Sequence, residues 1–143
     1  MKKYLIINGP SLNLLGSRNP EIYGKENLQD IEKWLNVKIN NKDINIYWYQ
    51  TNHEGKIIDR IQRASNEKMN GIILNAGALT HYSYAIRDAI SAFKLPVVEV
   101  HLSNINKREK FRSISVIKDV CIKQISGLGK NSYLEGFKIL ESL

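Results

Sequence analysis

The amino-acid sequence predicts an α/β fold: a doubly wound sheet of five parallel strands flanked by helices. Two observations carry that expectation. Short, nearly continuous apolar runs recur, as in Tyr4-Leu5-Ile6-Ile7, Gly71-Ile72-Ile73-Leu74 and Pro96-Val97-Val98-Glu99-Val100. Strands buried on both faces read this way, whereas a half-solvated strand alternates. The stretches between the runs repeat apolar residues at helical intervals. A third observation bears on function, because each run stops abruptly in polar residues: Asn8-Gly9-Pro10-Ser11, Asn75-Ala76-Gly77-Ala78 and His101-Leu102-Ser103-Asn104. Ligands of open α/β sheets bind outside the carboxyl ends of the strands, so these ends point to one shared site and to an enzyme.

The first strand covers about Tyr4 to Asn8 and opens into a Gly- and Asn-rich loop reaching Gly24. Asn27 is positioned as an N-cap, with Asp30 three residues later, for a helix to about Asn40 carrying Leu28, Ile31, Leu35 and Ile39 on one face. The second strand, Ile44 to Gln50, alternates Ile44, Ile46 and Trp48 with more polar neighbours. A helix from about Gly55 to Glu67 gathers Ile57, Ile58, Ile61 and Ala64. The third strand ends at Asn75, and the next helix, about Tyr82 to Phe93, packs through Ala85, Ile86, Ala89 and Ile90. The fourth strand ends at His101. Beyond a basic loop, Val120 to Ser126 forms the fifth strand and Tyr133 to Leu143 the last helix. Repeated β-α alternation of this kind describes a flavodoxin-like sheet with right-handed crossovers.

Residues 1–143 are expected to form a single catalytic domain, long enough to bury a core without staples. Met1-Lys2-Lys3 before an apolar run imitates a signal peptide, but the run is short and breaks at Asn8-Gly9-Pro10. No segment reaches membrane-spanning length, so no membrane partner is expected. The single cysteine, Cys121, excludes an internal disulfide and a cysteine-cluster metal site, and reads as a small core residue. Cytoplasmic residence is the expectation. The net charge of +7 suits solubility or the steering of a small anion. Nucleic acid is not an expected partner, because the densest basic stretch, Lys107-Arg108-Glu109-Lys110-Phe111-Arg112, is short and contains a Glu.

The first loop is long for a strand-to-helix connection, which favours a functional lid. It lacks the glycine spacing and the Lys of a phosphate loop. Within it, Arg18 and Tyr23 are the chemically interesting pair: a guanidinium beside a phenol stabilises the phenolate, which is then a credible general base. Glu99 and His101 lie two residues apart on a strand and face the same side. Such a carboxylate orients the imidazole and favours its charged form, which suits a proton donor. A Glu inside an apolar run is costly to bury unpaired. Ser103 and the amides beside it suit a carboxylate, and Arg112 an anion or a hydroxyl. Asn75 and His81, either side of Gly77, suit ligand hydroxyls. Asp88 falls a turn or two into the following helix; helix rise is enough to carry it away from its own strand ends, in which case any role for it would be across a subunit boundary. His81, His101 and Asp88 lack metal-binding spacing, and no metal is expected.

Several blocks then occur in order over nearly the whole chain: Asn8-Gly9-Pro10, Leu12-Asn13-Leu14-Leu15-Gly16, Pro20-Glu21-Ile22-Tyr23-Gly24, Gln50-Thr51-Asn52-His53-Glu54-Gly55, Asn75-Ala76-Gly77-Ala78, Thr80-His81-Tyr82-Ser83-Tyr84-Ala85-Ile86-Arg87-Asp88-Ala89, Glu99-Val100-His101-Leu102-Ser103-Asn104-Ile105, Arg108-Glu109-Lys110-Phe111-Arg112 and Gly127-Leu128-Gly129. Together they closely resemble the type II 3-dehydroquinate dehydratases. The resemblance implies elimination of water from 3-dehydroquinate to give 3-dehydroshikimate, a step of the shikimate pathway. It also implies an enolate intermediate, anti stereochemistry and no metal or cofactor. By position, Tyr23 would remove the proton beside the ketone, Arg18 would hold Tyr23 as phenolate, and His101, backed by Glu99, would protonate the departing hydroxyl. Asn75, His81 and Arg112 would bind ring hydroxyls, and Leu102 with Ser103 the substrate carboxylate. Asp88 matches a residue that reaches into a neighbouring subunit's site in a dodecamer built from trimers. Arg18 to Gly24 would close as a lid. One position departs from the family pattern, which usually carries Asn where this chain has Ser11. That Asn helps hold a water at the enolate oxygen, and Ser is shorter and lacks the second amide group. The alternative is therefore a catalytically weakened protein that binds a small carboxylate on the same scaffold. A flavin or nucleotide binder is the third reading.

Overall fold

The computed structural model describes all 143 residues, Met1–Leu143. One sheet contains five parallel strands: β1 (Lys2–Asn8), β2 (Ile44–Gln50), β3 (Gly71–Asn75), β4 (Val97–His101) and β5 (Lys123–Ser126). Their order is β2-β1-β3-β4-β5, the flavodoxin-like arrangement, with its switch point between β1 and β3. The helices are α1 (Pro20–Tyr23), α2 (Leu28–Ile39), α3 (Glu54–Asn66), α4 (Tyr84–Ser91) and α5 (Asn131–Glu141). No helix is long and apolar enough to cross a membrane.

Successive residues of a strand point to opposite faces, which is why unbroken apolar runs are needed to serve two cores. On one face Tyr4 and Ile6 pack with Leu28, Ile31 and Leu35 of α2 and with Tyr133, Phe137 and Leu140 of α5. On the other, Leu5 and Ile7 meet Ile57, Ile61 and Ala64 of α3 and Ile86, Ala89 and Ile90 of α4. The register sets Asn8 beside both Gln50 and Asn75, so the polar ends of β1, β2 and β3 finish level with one another.

Asn27 caps α2 as its spacing predicts. Its side chain accepts from the Asp30 amide at 2.8 Å, and Asp30 Oδ2 accepts from the Asn27 amide at 3.1 Å. Several boundaries shift by about two residues from the sequence expectation, and two of the shifts have a visible local cause. The helix expected from Tyr82 begins at Tyr84, because Ser83 acts as N-cap, its hydroxyl accepting from the Ile86 amide at 3.0 Å. Gly77–His81 instead forms a 3-10 turn. The fifth strand begins at Lys123 and not at Val120, because Lys118–Val120 closes a 3-10 turn in which the Cys121 amide is bound to the Lys118 carbonyl at 3.2 Å. Val120 and Cys121 still pack against the α3–α4 core, as their apolar character requires. Burial, reinforced by the charge of Glu99, pushes the Cys121 thiol up to about 12, so it is protonated and unreactive at neutral pH.

The loops after β1 and β3 touch at Gly9. Its amide donates to the Asn75 carbonyl at 2.8 Å, and a Cβ at this position would stand 2.6 Å from the Ala76 carbonyl oxygen. Since that neighbour is backbone, it has no rotamer through which to yield. Gly9→Ala is expected to destabilise the fold by about 1–3 kcal/mol, read as a lower denaturant midpoint at unchanged slope. An unchanged midpoint would show that the two loops are free to separate.

Candidate active site

A pocket opens beyond the carboxyl ends of β1, β3 and β4. Ser11, Arg18 and Tyr23 line it from the loop after β1, Asn75 and His81 from β3 and its following turn, and His101, Leu102, Ser103, Arg108 and Arg112 from β4 and beyond. Glu99 stands behind His101 and does not line the pocket.

Glu99 is wholly buried on β4. Its carboxylate accepts from Thr80 Oγ1 at 2.9 Å, Ser115 Oγ at 2.9 Å, Gln124 Nε2 at 3.1 Å and His101 Nε2 at 2.6 Å. Burial alone would push this carboxyl up. The hydrogen bonds and charge of His101, with those from Gln124 and Thr80, outweigh burial and hold it below the usual carboxylate range. A carboxylate can only accept, so His101 carries a proton on Nε2. That leaves Nδ1 as the ring nitrogen His101 offers to a ligand.

Tyr23 ends the single turn α1, which Pro20 opens and Gly24 closes at φ 87°. The guanidinium carbons of Arg18 and Arg108 each stand 5.0 Å from the centre of its ring. Arg108 Nη1 donates to the Tyr23 hydroxyl oxygen at 2.8 Å and to Ser103 Oγ at 3.3 Å. One guanidinium therefore joins the loop after β1 to the end of β4.

His81 Nδ1 lies 2.7 Å from the Ile114 carbonyl, which makes Nδ1 the donor and leaves the Nε2 lone pair free. Burial pushes the His81 imidazole below its ordinary value of 6.5, against the pull of the Ile114 hydrogen bond, and the charges of His101 and Arg112 push the same way. Neutral at pH 7, His81 is an acceptor toward the pocket. Phe111 meets the His81 ring edge-on at 5.6 Å, and the Arg112 guanidinium lies 4.7 Å over Phe111 while its Nε donates to Glu109 Oε2 at 2.6 Å.

The family model for dehydroquinase class II matches residues 2–141 of the chain. A 3-dehydroquinate dehydratase from Caldicellulosiruptor saccharolyticus is 51% identical over 143 residues, covering 100% of this chain and 99% of its own. One from Bacillus subtilis is 53% identical over 133 residues, 93% of this chain and 89% of its own. The crystal structure of the type II dehydroquinase from Butyrivibrio crossotus superposes with a TM-score of 0.95 at 48% identity, covering 98% of this chain and 97% of that one. The chain belongs to the class II dehydroquinase family.

For this dehydroquinase, sequence reasoning left Arg108 without a role, reading it as one charge in a basic stretch. The available signal was its place in the loop that follows Ser103 at a strand end; its partner Tyr23 is 85 residues away. Asp88 is exposed on α4, outside the pocket of its own chain. Ser11 sits in the left-handed region at φ 69° and ψ 0°, and its amide donates to Asn52 Oδ1 at 2.9 Å. Gln50 Nε2 steadies the same Asn52 oxygen at 3.2 Å. Asn tolerates this backbone region better than Ser does. Ser11→Asn is expected to raise stability by about 0.5–1 kcal/mol, measured by chemical unfolding; a loss of stability would mean that the loop does not need φ above zero here.

Proposed function

We propose that this dehydroquinase catalyses the anti elimination of water from 3-dehydroquinate to 3-dehydroshikimate, with Tyr23 as base and His101 as acid. The observation that best supports this reading is the Tyr23 hydroxyl bonded to Arg108, its ring flanked by the Arg18 and Arg108 guanidinium groups, in the same pocket as a His101 ring backed by a buried carboxylate. Tyr23 as phenolate takes the proton beside the ketone, and the C–H electron pair moves onto the carbonyl oxygen as an enolate. The enolate then collapses, the carbon–oxygen bond to the leaving hydroxyl breaks, and His101 protonates that hydroxyl so that it departs as water. Arg18 and Arg108 offset the phenolate charge. Glu99 is a positioning residue for His101. Ser11 takes the place of the Asn that helps hold a water at the enolate oxygen. Asn75, His81 and Arg112 bind ring hydroxyls, and the amides of Leu102 and Ser103 take the carboxylate. No metal or cofactor is needed for these proton transfers. Asp88 acts across a subunit boundary in a dodecamer of trimers; its exposure on α4 near the exposed Tyr84 is consistent with a surface that another subunit covers.

The reaction is followed as the rise in ultraviolet absorbance of the conjugated enone. Tyr23→Phe and Arg18→Ala are each expected to lose about 10²–10⁴ in kcat while unfolding normally, and borohydride treatment to leave the parent rate intact. Parent-like rates in Tyr23→Phe would remove Tyr23 as the base. Substrate binding with no turnover by the parent would favour the small-carboxylate binder. A second expectation concerns pH. His81 is lowered in the folded protein, so its accepting form is present above 6.5 and is lost as pH falls through the depressed value. KM should rise on acidification, and His81→Phe should flatten that rise at a uniformly higher KM. A profile unchanged by His81→Phe would exclude His81 as the titrating group.

A further inference from the structure

Asn75 carries both a donor and an acceptor, and the fold decides which of them meets the pocket. Its Oδ1 accepts the Gly77 backbone N–H at 3.2 Å, a group that can only donate. Its Nδ2 donates at 3.2 Å to the hydroxyl oxygen of Tyr133, which is fully buried on α5. Having accepted from Asn75, the Tyr133 hydroxyl passes its own proton to Oδ1 of Asn8. The hydrogen bonds thus run one way, from Asn75 through Tyr133 to Asn8. Turning the Asn75 amide would set its N–H group against the Gly77 N–H. Turning Asn8 would leave the buried tyrosine proton with no acceptor. Burial pushes the Tyr133 hydroxyl up, so that proton is permanent near neutral pH. At the end of the chain, Asn8 Nδ2 is buried without a partner in the protein. An unsatisfied donor is costly, and its presence here is explained by the need to keep Asn8 Oδ1 on Tyr133.

We propose that Tyr133 and Asn8 are positioning residues that lock the Asn75 amide, so that the pocket meets its second N–H and never its carbonyl oxygen. The inference rests on the dehydroquinase reading of this pocket and deepens it. Neither Tyr133 nor Asn8 lines the pocket, whereas Asn75 does. The Asn75 point of the pocket then selects a ligand oxygen, since a ligand N–H there would face donor against donor. His81 supplies the complementary acceptor from the turn after β3.

The test is a set of double-mutant cycles on 3-dehydroquinate kinetics, with thermal unfolding of every variant to confirm the fold. Tyr133→Phe is expected to raise KM about tenfold while changing kcat less than about threefold, because it disturbs a ground-state contact. Asn8→Ala should shift KM in the same direction, and it carries the test alone if Tyr133→Phe does not fold. In an Asn75→Ala background neither change should raise KM further. KM effects that add to that of Asn75→Ala, or losses confined to kcat, would overturn the proposal. If the parent protein does not turn over 3-dehydroquinate, the dehydroquinase reading fails on its own account, and neutron crystal structures of the variants, in which deuterons distinguish Nδ2 from Oδ1, then decide. An Asn75 amide turned away from Gly77 supports the lock, and an amide unmoved in the variants refutes it.

Discussion

A carboxylate with no exposure to water has to be met by protein donors, because burying it unpaired costs more than a domain of this size can spare. Glu99 is in that position. Its donors come from the turn before α4 (Thr80), the loop after the basic stretch (Ser115), β5 (Gln124) and the end of β4 itself (His101). Elsewhere each would be an ordinary polar residue. Around one charge they fix how the loops beyond β3 and β4 lie over the sheet. Removing a single donor takes away one charge-assisted bond, worth about 1.5–3 kcal/mol, whereas removing the carboxylate strands all the donors at once.

The consequences pass outward through neighbouring residues. Ser115, held by Glu99, also accepts from the Lys118 amide at 3.1 Å, and the adjacent Val116 amide donates to the Thr80 carbonyl at 2.9 Å. The loop pinned in this way carries the Ile114 carbonyl that sets the His81 tautomer. One buried charge therefore orients two imidazoles in opposite senses. His101 is bound through Nε2 to a carboxylate, in a setting suited to giving a proton, while His81 is held neutral as an acceptor. The pocket has a directed pattern of donors and acceptors before any ligand arrives.

The sheet was legible because doubly buried strands need unbroken apolar runs, and the ends of those runs already named most of the pocket. Glu99 stood out for the same reason, as a charge where the pattern called for an apolar residue. Boundaries were less legible where a local hydrogen bond overrode propensity: Ser83 claims the N-terminus of α4, and the Lys118–Val120 turn takes Val120, an apolar residue that reads as strand. Arg108 was hidden for another reason. Its meaning lies in a contact with Tyr23 that only the folded chain creates, and an arginine in a basic run has no periodicity to distinguish it. The Tyr133–Asn8 link is of the same kind, a tyrosine in an amphipathic helix that reads as packing until its hydroxyl is traced.

The proposed acid and base are held by contrasting means, and that contrast bears on how the site would work. His101 is fixed by a buried hydrogen bond to Glu99, and Ser132 Oγ anchors its carbonyl at 3.0 Å. Tyr23 rides on one helical turn whose neighbours Asn19, Pro20, Glu21, Ile22 and Gly24 are all exposed. A segment with so few buried contacts is drawn from the low-stability end of the molecule. Tyr23 itself packs against the core beneath the loop, and two guanidinium groups flank its ring, one from its own loop and one from beyond β4. On the proposed reading the acid side would be preorganised by the fold, and the base side would be assembled by the approach of the loop. Because Arg108 bonds both Tyr23 and Ser103, beside the proposed carboxylate site, a bound anion and the position of the base would act on the same guanidinium. On the proposed reading, substrate charge and lid closure would be coupled through this single side chain, with no need for a rearrangement of the sheet.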